Sequence, residues 1–189
     1  MSTPVLHVLA GPNGSGKSTF VHEVLGPVAR LPFVNADELA KERWPGHEEE
    51  HAYEASAAAA VRREALLADR RSFIAETVFS HPSKVDLVRR ATAGGHLVSL
   101  HVMLVPVEVT VLRVQHRVTQ GGHTVPVAKI RERYERLWSL VAEARTLADR
   151  TTFYDNGRAA TPFRPVATYE RGRRIGDARW PRWTPAVLL

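Results

Sequence analysis

Eight consecutive residues, Gly11-Pro12-Asn13-Gly14-Ser15-Gly16-Lys17-Ser18, fit the pattern G-x-x-x-x-G-K-[ST] at every fixed position. A triphosphate is a dense anion and needs many short donors around it. The three glycines let the backbone turn its N–H groups inward with no Cβ blocking the approach. A helix starting directly afterwards aims its positive end at the same point. In this pattern Lys17 is the cation for the β- and γ-phosphates, and Ser18 offers its hydroxyl to Mg²⁺. Gly11 to Thr19 is therefore the expected binding segment for ATP with Mg²⁺. An ordinary glycine-rich turn would not require the Lys-Ser pair. Binding alone is not transfer, since many such loops only switch or pump.

Other polar groups have the types that phosphoryl transfer uses. Asp37 follows an apolar stretch, where a carboxylate can orient an attacking hydroxyl and accept its proton. Its alternative role is to cap a helix starting at Glu38. Glu76, Thr77 and Ser80 follow another apolar stretch and are candidates for holding an acceptor; Glu76 can instead reach the metal through water. Arg113, Arg117, Arg131 and Arg133 flank Gln120-Gly121-Gly122-His123-Thr124, which has the build of a helical lid on a glycine hinge. Guanidinium forks match the charge that spreads over a transferring phosphoryl group. His123 is a candidate substrate contact inside that lid. Arg136 and Arg145 read as surface residues. His47-Glu48-Glu49-Glu50-His51 matches the H-E-x-x-H zinc pattern. Pro45-Gly46 places His47 at or before the start of its helix, so the two histidines need not share a face.

These groups need a scaffold that gathers them. The sequence predicts strands at 5–10, 31–34, 72–75, 96–105 and 151–154. Between them it predicts helices over 49–70, 82–93, 107–119 and 127–149. A β-hairpin is expected around Arg171-Gly172, followed by a Pro- and Trp-rich end. Strands alternating with helices imply an α/β fold with a parallel sheet of five strands, helices on both faces. Ligands in such sheets sit at the carboxyl ends of the strands. The polar clusters fall in those places.

Composition narrows the class. The chain has 189 residues, enough for one core and too few for two α/β domains. It has no cysteine, which excludes disulfides and thiolate chemistry. No apolar run of about 18 residues is present, so no membrane span is expected. The first residues lack a basic signal-peptide region, and a cytoplasmic protein is the simplest expectation. Of the net charge of +6, most lies beyond residue 156, where seven arginines face only Glu170 and Asp177. A basic tail can meet nucleic acid or an acidic partner, but a solvated surface is the reading favoured here. Trp180 and Trp183 are read as packing residues rather than a base-stacking surface.

Four segments together resemble the zeta toxin family of P-loop kinases, in its short single-domain branch. They are GPNGSGKST (Gly11 to Thr19), VNADE (Val34 to Glu38), E-T-x-F-S (Glu76 to Ser80) and the long R-V-x-x-G-G-H-x-V-P-x-x-x-I-x-x-R-Y (Arg117 to Tyr134). The resemblance runs from about Val5 to Asn156. It implies a P-loop kinase-like domain over 1–156 and leaves the tail unmatched; the basic tail over 157–189 is expected, from its own residues, to pack on the same domain. The resemblance also implies an ATP- and Mg²⁺-dependent kinase acting on a small hydroxylated acceptor, with UDP-N-acetylglucosamine the best-known example. By carry-over Lys17 binds phosphate, Asp37 is the base, and Arg117 with Arg131 or Arg133 clamps the phosphoryl group. Nothing in the sequence identifies a paired antitoxin. Two other readings stay open: a kinase acting on polynucleotide ends through the basic tail, and a non-catalytic nucleotide-gated module.

Overall fold

The computed structural model describes residues 3–119 and 126–189. Its central strand, β1 (Val5–Ala10), is apolar at nearly every position because both faces are covered. Leu6, Val8 and Ala10 enter the main core on one face, while Leu9 enters a second core on the other. The same two-residue alternation divides β3 (Phe73–Thr77) and β4 (Leu97–Leu104) between the faces.

After β1 come α1 (Lys17–Phe20), a π-helical turn (Val21–Leu25), α2 (Gly26–Ala29) and β2 (Phe33–Val34). Pro27 has no N–H for the helical ladder, and the N–H of Gly26 bonds back to the carbonyl of Val21. α3 (Ala36–Arg43) and α4 (Ala52–Ala68) precede β3. α5 (Ser83–Ala93) lies between β3 and β4. α6 (Val107–Thr119) and α7 (Val127–Leu147) precede β5 (Arg150–Asp155), and the chain closes with β6 (Arg164–Glu170) and β7 (Arg173–Ile175). Helices α4, α5 and α7 cover the main core; α1 and the π turn cover the second.

The sheet order is β2-β3-β1-β4-β5-β6-β7. The first five strands are parallel and match the expected five. The hairpin does not stand apart from them, however. β6 pairs antiparallel with β5 from Arg150↔Glu170 to Asp155↔Arg164, and the single sheet has seven strands. This pairing covers the edge that β5 would otherwise expose. At the turn, Arg171 and Gly172 both have positive φ, 46° and 74°, as a tight hairpin requires. The new edge, β7, carries Arg173 and Arg174, charges that discourage further strand addition.

Two other expectations shift. α4 begins at Ala52 rather than 49, because residues 48–51 form a turn and His51 supplies no side-chain cap. Arg145 is not a surface residue. Its guanidinium lies 4.5 Å from the centroid of the Tyr169 ring and donates to the carbonyl of Leu188 at 2.8 Å. Trp180 packs on Phe153 at 5.0 Å, and Leu188 is fully buried, so the tail contributes to the core. No helix among the described residues is long and apolar enough to cross a membrane.

The second core holds a polar pair. His7 Nδ1 and His101 Nε2 are 3.1 Å apart, so one ring donates and the other accepts. Burial, His7 and Arg150 push His101 down to about 3, and burial also lowers His7. The unfolded chain therefore takes up protons that the folded chain refuses. This contribution to stability is complete above the ordinary value of 6.5 and is lost as pH falls toward 3. Between about pH 6.5 and 5, carboxylates remain mostly ionised. Denaturant midpoints in that window should fall with pH, and His101→Gln should flatten the slope; an unchanged slope would rule out this origin.

Candidate active site

β1 occupies the switch point of the sheet: the chain turns first to β2 and β3 on one side, then to β4 and β5 on the other. Ligands bind outside the carboxyl ends at such a point. Register brings three loops level there. Ala10 pairs with Thr77, Leu9 with Glu76, and Val34 with Ala75. The glycine loop, Asn35 and Glu76 thus leave the sheet at one edge, around a cavity of about 530 Å³.

The glycine loop is held from the β5 side. Gly16 has φ 89°, and a Cβ there would lie 2.4 Å from Asn156 Nδ2. That amide donates to the carbonyl of Ser15 at 2.8 Å, while Asn156 Oδ1 accepts from the N–H of Phe163 at 3.3 Å. Arg113, expected in the lid, has its donors on the carbonyls of Gly14 (3.2 Å) and Asn156 (3.0 Å). Gly11 sits over β4, where a Cβ would come within 2.8 Å of the Met103 carbonyl. Asn13, Gly14, Gly16, Ser18 and Thr19 line the cavity with Lys17; Gly11, Pro12 and Ser15 are buried and do not line it.

Glu76 joins the loops. Its Oε1 accepts from Ser18 Oγ at 3.2 Å, and its Oε2 accepts from Asn35 Nδ2 at 2.7 Å. Lys17 Nζ donates to the Pro12 carbonyl at 2.9 Å and stands 4.0 Å from Glu76 Oε1. Asn35 Oδ1 accepts from the N–H groups of Asp37 (2.7 Å) and Glu38 (3.1 Å). The cap of α3 is therefore Asn35, not Asp37. Asp37 occupies the first turn, exposed, with its side chain at the cavity.

The loop after β3 is strained. Phe79 has φ 66°, a conformation costing a non-glycine residue about 1 kcal/mol or more. Its ring is fully buried, and its N–H donates to Thr77 Oγ1 at 3.1 Å. This anchors the turn that carries Thr77 and Ser80 along the cavity wall.

Of the lid arginines, Arg133 lines the cavity. Arg131 does not; both its terminal nitrogens donate to Glu108, at 2.9 and 2.8 Å. This pairing holds the Glu108 carboxyl below its ordinary value. His123 and the glycine hinge lie outside the described residues, as does the side chain of Arg117. His47 and His51 both precede α4; His47 pairs with Glu50 at 3.4 Å and His51 stacks on Trp44 at 4.6 Å. Among the described residues no group of three His, Asp or Glu is placed to hold a metal.

Sequence reasoning missed Arg63, Lys84 and Ser56, all of which line the cavity. The signal for Arg63 was its place in the helical stripe Ala55, Ala59, Arg63, Leu66, where a charged residue occupies a buried position. It also missed Asn156 as a clamp. Asn156→Ala leaves the Ser15 carbonyl and Phe163 N–H without protein partners, at a cost of about 1–3 kcal/mol. The variant should unfold at lower temperature and bind ATP more weakly; unchanged values for both would show that the clamp is dispensable.

The model of one protein family, described as zeta toxin, matches residues 1–164. No curated protein sequence matches the chain. Among solved structures, the AvrRxo1-ORF1:AvrRxo1-ORF2 structure with sulphate ions is similar with a TM-score of 0.70 at 17% identity, over 92% of this chain and 60% of that one. The present chain thus spans less than two thirds of that relative. The PezAT toxin–antitoxin system of Streptococcus pneumoniae gives 0.61 at 14% identity, over 82% and 68%. A putative kinase from Chloroflexus aurantiacus gives 0.57 at 21% identity, over 71% and 80%. These likenesses carry the fold, and the family model covers the whole cavity-forming region, so the chain belongs to the zeta toxin family.

Proposed function

We propose that the protein is an ATP- and Mg²⁺-dependent kinase that phosphorylates a hydroxyl of a small acceptor, such as the nucleotide sugar UDP-N-acetylglucosamine. The observation that carries this reading is the junction at Glu76. One carboxylate gathers Lys17, Ser18 and Asn35, with Asp37 on the wall of the same cavity. A nucleotide switch needs the glycine loop; it does not need a second carboxylate on the wall opposite an open acceptor volume.

In this reading the backbone of Asn13 to Thr19 and the side chain of Lys17 hold the phosphates of ATP. Ser18 and Glu76 supply hard oxygen ligands side by side, a set that suits Mg²⁺, which keeps water and phosphate oxygens as its remaining ligands. The ion would neutralise charge on the β- and γ-phosphates. Its nearness to Ser18 makes Glu76 the metal-facing acid of the pair, and Asp37 the acceptor-facing one. Asp37 takes the proton of the acceptor hydroxyl as its oxygen bonds to the γ-phosphorus; the bond to the β,γ-bridging oxygen breaks and ADP leaves. Thr77 and Ser80 orient the acceptor. Arg133 meets the charge on the transferring group, together with Arg117; Arg131 would first have to leave Glu108. His123 is assigned to the acceptor side. Closure by the lid would exclude water and limit futile hydrolysis. An antitoxin partner belongs to this reading, since one similar structure is of a toxin–antitoxin system.

Incubation with γ-labelled ATP and a metabolite extract, followed by mass spectrometry, should reveal one new phosphoester. Lys17→Ala should abolish transfer and weaken ATP binding. Asp37→Asn should keep ATP affinity and lose about 10²–10⁴ in kcat. Normal turnover in Asp37→Asn would remove the base assignment.

A further inference from the structure

Two cations in the cavity have no part in the chemistry above. Arg63 on α4 is 7% exposed and lines the cavity wall. It makes neither hydrogen bond nor salt bridge among the described residues. Its acidic neighbour Glu64 offsets part of that burial through its charge but makes no bond to it, because both Glu64 carboxylate oxygens are paired with Arg90. Lys84 on α5 lines the same cavity, half-buried and also without a carboxylate partner among the described residues. Of the two acids that line the cavity, Glu76 is bonded to Ser18 and Asn35, and Asp37 forms no ion pair with Arg63 or Lys84 among the described residues.

Burying a guanidinium without a bonded counter-charge is costly, and placing an ammonium in the same cavity adds repulsion. Burial lowers both groups from their ordinary values, and the charge of Arg63 lowers Lys84 further. A ligand anion reverses both penalties at once. The planar fork of Arg63 suits phosphate oxygens, and Lys84 adds a point charge. Ser56 and Ser80 bring hydroxyl donors to the same cavity.

We propose that Arg63 and Lys84 form a second anion subsite, separate from the glycine loop, which selects acceptors that already carry a phosphate or diphosphate group. Only the word acceptor rests on the kinase reading; the anion site does not.

The test saturates the glycine loop with Mg²⁺ and AMP-PNP, then titrates inorganic phosphate and follows thermal unfolding, with chloride at matched ionic strength as control. Phosphate should raise Tm saturably and chloride should not. Arg63→Met and Lys84→Met should each weaken phosphate at least tenfold while leaving AMP-PNP affinity within about twofold, and Arg63→Lys should recover part of the loss. Without phosphate, Arg63→Met should unfold at the same temperature as the parent or higher, because it removes a buried charge that Glu64 only partly offsets; a purely structural arginine predicts a lower Tm. The proposal is overturned if phosphate acts no differently from chloride. It is equally overturned if the variants bind phosphate like the parent, or if they lose AMP-PNP as Lys17→Ala does. Phosphate binding that depends on both residues, with no acceptor ever phosphorylated, supports the subsite and overturns the kinase reading alone.

Discussion

The carboxylate of Glu76 is the constraint on which the site depends. It is 10% exposed at the end of β3, and its partners are Lys17 and Ser18 at the start of α1 and Asn35 just after β2. No local sequence preference brings those two segments to it. Parallel pairing of β2, β3 and β1 does, with Leu9 opposite Glu76 and Val34 opposite Ala75. A one-residue slip of β3 would turn Glu76 to the other face of the sheet. The apolar alternation that builds two cores therefore also sets the chemistry of the cavity.

The other side of the glycine loop is secured differently. There the chain uses neutral amides and a guanidinium rather than a shared carboxylate. Asn156 reaches back to Ser15, and Arg113 ties Gly14 to the loop after β5. Asp155, buried beside them, is compensated by Arg164 at 2.9 Å and by the N–H of Gly157. The hairpin that supplies Arg164 is thus more than an edge cover. It completes the polar layer behind the glycine loop, and Trp180 and Leu188 extend the core beneath it.

Much of this was legible in the residues. The glycine loop announces itself through its fixed spacing, and the alternation of strands and helices implies the parallel sheet and the edge where polar loops meet. The Arg171-Gly172 turn was visible through Gly172, which accepts a positive φ freely, while Arg171 adopts one against the usual preference of a side-chain-bearing residue. What was hidden depends on contacts far apart in sequence. Asn35 and Asp37 are both good cap residues, and only the start of α3 at Ala36 decides between them. Arg63 looks like a helix-surface arginine until the stripe it shares with Ala55, Ala59 and Leu66 is seen to face inward. Arg113 and Arg131 have the same residue type and flank the same segment, yet one clamps a main chain and the other pairs with Glu108. Composition does not distinguish these fates.

The most direct test of the account is a crystal structure with a non-hydrolysable ATP analogue and Mg²⁺. The account predicts the terminal phosphate beside Lys17 inside the cavity, Ser18 and Glu76 at the metal, and the Asp37 carboxylate within hydrogen-bond reach of an oxygen in line with the terminal phosphorus. A terminal phosphate outside the cavity, or an Asp37 turned to bulk solvent in that complex, would contradict it.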